Sequence, residues 1–298
     1  MNLKSIWSIL TEADEPLDEY PMTAMMNVAA ELDLPPDWFT WVAAGFLFGE
    51  EAITTEKYMR LFSYGLTRAN EGRFASAVQQ GYLTVNDKGE YRPSDSGLEV
   101  LKKIGRAVDA SVDHLDPMPK EGVQKLVDYL TRLEGASFLM PESPAKWLIS
   151  YKRRNMRPVE GSCLLRYVIH YYDEIAAYRD DMYVATWEAH GVEGHAWEVL
   201  DALSQSDALP FDELHAKLSR RGVTEEIHAG DVRELARRGW VEEGSGVIQI
   251  TPKGKQVRVE VEAETERLFF LPWSCLNESE LDELSSLAGQ LPGGLKGK

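Results

Sequence analysis

The sequence predicts a mostly α protein with small β-hairpins. One helix–helix–helix–hairpin–helix module is written twice, and a long helical region joins the copies. Three observations carry this expectation. Val232 to Arg238 has helical periodicity, Gly239 stops it, and Trp240-Val241 opens a strand that Val247-Ile248-Gln249-Ile250 answers before Thr251-Pro252-Lys253-Gly254 starts a new helix. The same order appears earlier, with Gly81-Tyr82 in the place of Gly239-Trp240 and Ser94 with Gly97 in the place of Thr251 with Gly254, an offset of about 157 residues. Each copy also has a lead helix, Trp38 to Phe48 in the first and Ala196 to Leu203 in the second.

The second copy can be justified residue by residue. Phe211, Leu214 and Leu218 form an apolar stripe behind Pro210, which gives a short helix. Arg220-Arg221-Gly222 supplies a turn. The next helix turns Val232, Leu235 and Ala236 inward and Arg233, Arg237 and Arg238 outward. Gly239 suits the residue after a helix because glycine enters the left-handed region without steric cost. Gly244-Ser245-Gly246 reads as a hairpin turn, and Ile248 and Ile250 alternate with Gln249 as in a half-buried strand. Thr251 caps the following helix with Pro252 at its first position. Val257, Val259 and Val261 have the period of a strand, but the cap and the helix formers up to Leu268 favour a helix.

From the N-terminus, Leu3, Ile6, Trp7 and Leu10 predict a helix that ends in an acidic loop, Glu12-Ala13-Asp14-Glu15-Pro16, running up to Pro21. Met22, Met25, Met26 and Ala29 make a second apolar face. After the break at Leu34-Pro35-Pro36-Asp37, the lead helix carries Trp38, Trp41, Val42 and Phe46. Ile53-Thr54-Thr55-Glu56 begins a second helix, and Arg68 to Gln80, after Gly65, is a third with Phe74, Ala77 and Val78 inward. Gly81 to Val85 and Tyr91-Arg92 flank the hairpin loop Asn86-Asp87-Lys88-Gly89, and Leu98, Leu101, Ile104 and Val108 mark the helix that follows. Between the copies come an amphipathic helix (Val123, Leu126, Val127, Leu130, Leu133), a linker from Ser137 to Pro144, the basic run Lys146 to Arg157, and a helix from Ser162 to about His190. Leu281, Leu284 and Leu287 form a last helix, with fraying expected at Pro292-Gly293-Gly294. The expected divisions are an N-terminal arm (1–35), the first module (36–110), a central helical region (111–190) and the second module with C-terminal helices (191–298).

Composition bounds the function. At 298 residues with 44% hydrophobic and 27% charged residues, the chain can bury sizeable cores. No apolar run approaches the roughly 20 residues of a membrane helix, and the N-terminus lacks the pattern of a secretory signal, so the expected compartment is cytoplasmic. Cys163 and Cys275 have no metal-ligand spacing, and no cofactor or metal is expected. The net charge of −17 works against nucleic-acid binding, whose non-specific part comes from neutralising phosphates with Lys and Arg.

Both copies have the order of a winged helix-turn-helix, and both resemble the MarR-like winged-helix superfamily over roughly residues 36 to 110 and 191 to 290. The resemblance is carried by that order and by short words such as Arg-Arg-Gly-Trp-Val and Ile-Thr-Pro-Lys-Gly. The stretch from Tyr178 to Trp187 also looks like poorly characterised bacterial helix-turn-helix proteins. The resemblance implies a DNA-binding transcriptional regulator that forms a homodimer through its terminal helices and responds to a small aromatic effector.

A third helix that enters the major groove, and a wing that reaches phosphate, need cations and amides. In the first module these are Arg68, Asn70, Arg73, Gln79 and Gln80, with Lys88 and Arg92 on the wing; in the second they are Arg233, Arg237 and Arg238. Glu242-Glu243 on the second wing would repel phosphates, which makes the first module the better candidate. Tyr171, Tyr172, Tyr178, Arg179, Tyr183 and Trp187 either line a pocket for a planar anion or fill an aromatic core. Lys152-Arg153-Arg154 reads as a phosphate site or, by preference, a solvated face balancing nearby acids, Asp180-Asp181 as exposed carboxylates, and His215 and His228 as surface residues. His190 and His195 are spaced too loosely for zinc. With no nucleophile, base or metal set in view, no enzyme is expected. The alternative function is a scaffold that keeps the fold for protein interaction or ligand binding without touching DNA.

Overall fold

The computed structural model describes residues 2–64, 67–140, 146–219, 222–244 and 246–295, with the backbone alone at 67 and 68. The expectations placed on Gly65, residues 141–144, Arg220-Arg221 and Ser245 lie outside the described residues. The rest is mostly helical with two small antiparallel sheets.

The first helix, α1 (Leu3–Glu31), runs unbroken through both Pro16 and Pro21, where the sequence predicts an acidic loop. Ile6, Leu10, Ala13, Leu17, Pro21 and Val28 are buried at spacings of three and four along most of it. Each buried large aliphatic side chain contributes roughly 1.5–3 kcal/mol, so together they outweigh about 3 kcal/mol per internal proline. The stripe packs on α5 (Asp95–Ala110) and on the last helix, α13 (Glu278–Leu295). Helix α13 also carries Pro292 within its length and continues to Leu295, where the sequence predicts fraying. A Cβ on Gly294 would lie 1.9 Å from the Pro117 carbonyl, so this end of the helix is seated against the chain.

Helix α6 (Lys120–Leu139) packs along the central α8 (Leu164–Glu188), and α7 (Trp147–Asn155) lies against α8 as well. Asp181 is buried rather than exposed. Its two oxygens accept the Leu148 and Ile149 backbone N–H groups at 2.9 and 3.1 Å, which caps α7 from a distant helix. Burial pushes its carboxyl up to about 7 against the pull of those N–H donors. The basic run balances nearby acids on a partly solvated face, as the second of its two readings expects. Arg153 pairs with the buried Glu134, Arg154 with Glu51 at 2.9 Å and Lys152 with Asp173 at 3.5 Å.

Two units share one element order. The first comprises α2 (Trp38–Phe48), α3 (Thr55–Leu61), α4 (Thr67–Gln79), the hairpin β1 (Leu83–Val85) and β2 (Tyr91–Pro93), and α5. The second comprises α9 (Gly194–Ser206), β3 (Ala208–Leu209), α10 (Phe211–Leu218), α11 (Glu225–Arg237), β4 (Val241–Gly244), β5 (Val247–Ile250) and α12 (Pro252–Phe270). In both, a short extended segment ahead of the second helix joins the return strand: Ile53 bridges Tyr91, and β3 pairs with β5. The sequence places Ile53 in a helix and leaves β3 unassigned. In the structure Ile53 is extended because Thr54 caps α3 on the Lys57 N–H.

The joints of the two units match bond for bond. Gly81 and Gly239 have φ of 80° and 74°. Tyr82 N donates to Ala77 O as Trp240 N donates to Leu235 O. Ser94 and Thr251 each accept from the glycine N–H three residues on and donate to the carbonyl of Gly81 or Gly239. Val257 and Val261 are buried one turn apart and Val259 is exposed, as a helix requires.

The buried cores separate near the boundary expected at 190 but not at those expected at 35 and 110. One core extends from Ile6 through α8 to Met182 and takes in Leu268 to Leu291, so the arm, the first unit, the central helices and α13 form a single body. A second core, from Trp187 to Val261, belongs to the second unit. Leu98 and Ala236, expected inward, are exposed.

Candidate nucleic-acid interface

Helix α11 is organised by a buried face of His228, Asp231, Val232 and Leu235. His228, expected at the surface, is 0% exposed, and its Nδ1 lies 2.8 Å from Nδ1 of His215 on α10. That contact is favourable only with one ring donating and the other accepting, and burial holds the His228 pKa below its ordinary value. Asp231 accepts from Nδ1 of His195 on α9 at 2.8 Å, and this bond raises the histidine's pKa. Three helices of the unit are thus tied by imidazoles, a role that spacing alone does not reveal.

The opposite face of α11 exposes Glu225, Glu226, Arg233, Ala236 and Arg237. Arg233 has no ion-pair or hydrogen-bond partner among the described residues. Arg237 pairs with Glu234 at 2.8 Å, with its side chain 71% exposed. Such a surface pair contributes little to stability, because water screens it, and it yields readily to another anion. Arg238 is different. It donates to the His190 and Gly191 carbonyls at 2.8 and 2.6 Å, pairs with Glu234 and lies over the Trp240 ring, so it clamps the junction of α8 and α9 and is drawn away from the exposed face of α11. Glu242 and Glu243 are exposed on β4.

In the first unit the predicted set disperses. Asn70 is 4% exposed, with its amide on Met59 Sδ and its Oδ1 accepting from Arg73, so it cannot reach a base edge. Arg73 is half-buried, and the side chain of Arg68 lies outside the described residues. Gln79, Gln80 and Lys88 are exposed. Arg92 is exposed but donates to the Glu50 carbonyl at 2.5 Å. The described exposed face of α4, Glu71, Gly72, Ala75 and Gln79, carries no cation.

The aromatic set of α8 does not line one pocket, because a helix buried on most sides sends its rings into different neighbours. Tyr171 is 7% exposed, and Tyr172 stacks on Trp7. Tyr178 donates to the Leu268 carbonyl, and Arg179 pairs with Glu262. Tyr183 accepts from Trp197 Nε1 and from Arg258, whose guanidinium lies over both rings with Asp201 as its counter-ion. The chain's own Arg258, on α12, therefore occupies the place expected for a ligand. Trp187 stacks on Trp197 and borders a cleft of about 450 Å³, shared with Arg60, Ser63, Gly194 and His195.

No group of three metal-ligating side chains is present among the described residues, and no described helix is long and apolar enough to cross a membrane. Residues 170–293 match a family model described as a helix-turn-helix family. That span runs from the first half of α8 through the second unit into α13, so the chain carries a helix-turn-helix domain. No curated protein and no solved structure matches the chain.

Proposed function

We propose that the protein is a transcriptional regulator of MarR-like winged-helix type, built from two such modules, which contacts double-stranded DNA through α11 of its second unit. The observation that carries this is the placement of Arg233 and Arg237 one turn apart on the exposed face of the helix that follows the turn, inside the span that matches the helix-turn-helix family. The second unit is preferred because Asn70 is buried and the described face of α4 lacks cations. A small aromatic effector would enter the cleft at Trp187, since the other rings of α8 are committed to packing. Dimerisation would need a surface other than the buried faces of α1 and α13, which pack on each other within one chain.

The test is a gel shift against a pool of genomic fragments at two salt concentrations. Arg233→Ala/Arg237→Ala is expected to weaken binding at least tenfold and to lower the salt slope by about 2, roughly one for each phosphate no longer neutralised. The second reading, a scaffold that does not bind DNA, is favoured by Glu242-Glu243 and the net charge of −17. It expects no salt-sensitive shift with any fragment.

A further inference from the structure

The two imidazoles that join α10 to α11 have room for only one arrangement of protons. Nδ1 of His215 and Nδ1 of His228 face each other at 2.8 Å, with the ring planes 70° apart. His228 is 0% exposed, and its Nε2 has no hydrogen-bond partner. A buried N–H without an acceptor is rare and costly, so the proton of neutral His228 belongs on Nδ1, donated to His215. His215, which is half-buried, then carries its own proton on Nε2.

A further proton has no favourable place. On Nδ1 of His215 it meets the His228 N–H head-on. On Nε2 of His228, whether added there or moved there to make room, it is buried without an acceptor. The surrounding charges give no relief. Asp231, three residues on in α11, has both oxygens within 2.8 and 2.9 Å of Nδ1 of His195 from α9, and that bond keeps a proton on His195. Glu226, the acid on which His215 acts, is exposed in the first turn of α11. From β4, Val241 is buried while Glu242 and Glu243 are exposed, and Phe211 lies parallel to His215 at 6.4 Å without a charge. Burial, joined by His215 and His195 and opposed by Asp231, holds His228 below its ordinary pKa. Otherwise α10 is held by Leu214 and Leu218 in the second core.

We propose that the pair is an acid-sensitive catch: protonation expels His215 from His228 and frees α10 from α11, while the larger core stays closed. A histidine kept neutral by folding lends stability that is present above its unfolded pKa of about 6.5 and lost as pH falls. The larger core responds the other way, because Asp14 and Glu174 hold protons that the unfolded chain sheds. The first helix of a helix-turn-helix braces the second on the duplex, so release would weaken DNA binding in acid. That last step rests on the function proposed above.

Hydrogen exchange of the full-length chain at pH 7.5 and 5.0, corrected for the intrinsic rate, is the test. Protection of residues 211–218 should fall at least about fivefold at the lower pH, while α6 and α13 keep or gain protection. His215→Phe has no second proton to take, so its α10 protection should differ by less than about twofold between the two pH values. His195→Gln removes the neighbouring titrating ring and should leave the fall in place. Equal protection of wild-type α10 at both pH values overturns the catch, as does a full response that survives His215→Phe or an equal loss in α6 and α13. Should His215→Phe leave α10 unprotected throughout, the imidazole ¹⁵N spectrum of the wild type decides. His228 protonated on Nδ1 at pH 7.5, with His215 gaining its proton as α10 opens, supports the catch; a proton on Nε2 of His228 at pH 7.5 overturns it. Gel shifts at both pH values separate the DNA step. Release of α10 with a severalfold loss of affinity supports the whole chain of events. Release with affinity maintained upholds the catch and overturns its link to DNA, and release without DNA binding by any form upholds the catch and sinks the DNA reading.

Discussion

Gly97→Ala and Gly254→Ala are each expected to cost about 3 kcal/mol or more, although alanine is normally the better residue in a helix. Both glycines sit in the first turn of the helix after a hairpin. An added Cβ would stand 2.1 Å from the Tyr82 carbonyl oxygen in the first unit and 2.2 Å from that of Trp240 in the second. The obstacle is backbone. The Tyr82 and Trp240 carbonyls also accept the Ser94 and Thr251 N–H groups, so they cannot rotate away without losing a bond of the joint. Hairpin and helix must separate by about an ångström, which disturbs Leu83 and Ile104 in one unit and Val241 and Val257 in the other, all of them buried. Gly72→Ala on α4 is the control. Nothing lies within 4 Å of its added Cβ, so it should stabilise by about 0.5–1 kcal/mol. Urea unfolding of the three variants decides the matter; if Gly97→Ala and Gly254→Ala both fall within about 1 kcal/mol of wild type, the close approach is not real.

Glu174→Gln should make the protein more stable at pH 8 by an amount on the order of 3 kcal/mol, with little difference at pH 4.5. Glu174 is 1% exposed on α8, and burial first, then the nearby Glu134, raises its carboxyl to about 8. His170, one turn earlier and 3% exposed, is lowered to about 3 by burial, with Arg166, Arg157 and Lys152 acting in the same direction. Their facing atoms lie 3.4 Å apart as a contact between two neutral groups. A carboxyl whose folded pKa exceeds its unfolded value keeps a proton that the unfolded chain has shed. Stability therefore falls as pH rises from the ordinary carboxylate range towards 8, by about 1.4 kcal/mol per unit for each such group. Asp14, raised to about 8, and Asp181, raised to about 7, act in the same direction. His170 acts oppositely: its share of stability is lost as pH falls below about 6.5. Glutamine removes only the share of Glu174. Unfolding free energies at the two pH values test this, and an equal effect at both would show that Glu174 is ionised in the folded state.

Much of the fold was legible because it is local. The Gly81 and Gly239 stops, the Ser94 and Thr251 caps and the alternation in the return strands each set a conformation within a few residues, and seeing them twice made the order readable. Pro16 and Pro21 misled for the complementary reason. Their breaking tendency is local too, but the stripe from Ile6 to Val28 is buried against α5 and α13, far along the chain. The candidate site was less legible. Periodicity places Arg233, Arg237 and Arg238 on one outward arc, yet only the fold brings the His190 and Gly191 carbonyls to Arg238 and withdraws it. Asn70 is withdrawn from the interface because Met59, on another helix, lies within reach of its amide. The aromatics of α8 looked like a pocket because sequence cannot tell a ring facing a cavity from one facing Arg258.

By itself the sequence determined most of the helices of the two units, where each hairpin turns and that one arrangement occurs twice, because capping, turn chemistry and apolar spacing act between near neighbours. The tertiary structure alone decided which charges face water, which carboxyls stay protonated and which imidazoles meet between helices. Burial and close approach are set by residues distant in the chain, and nothing in local spacing encodes them.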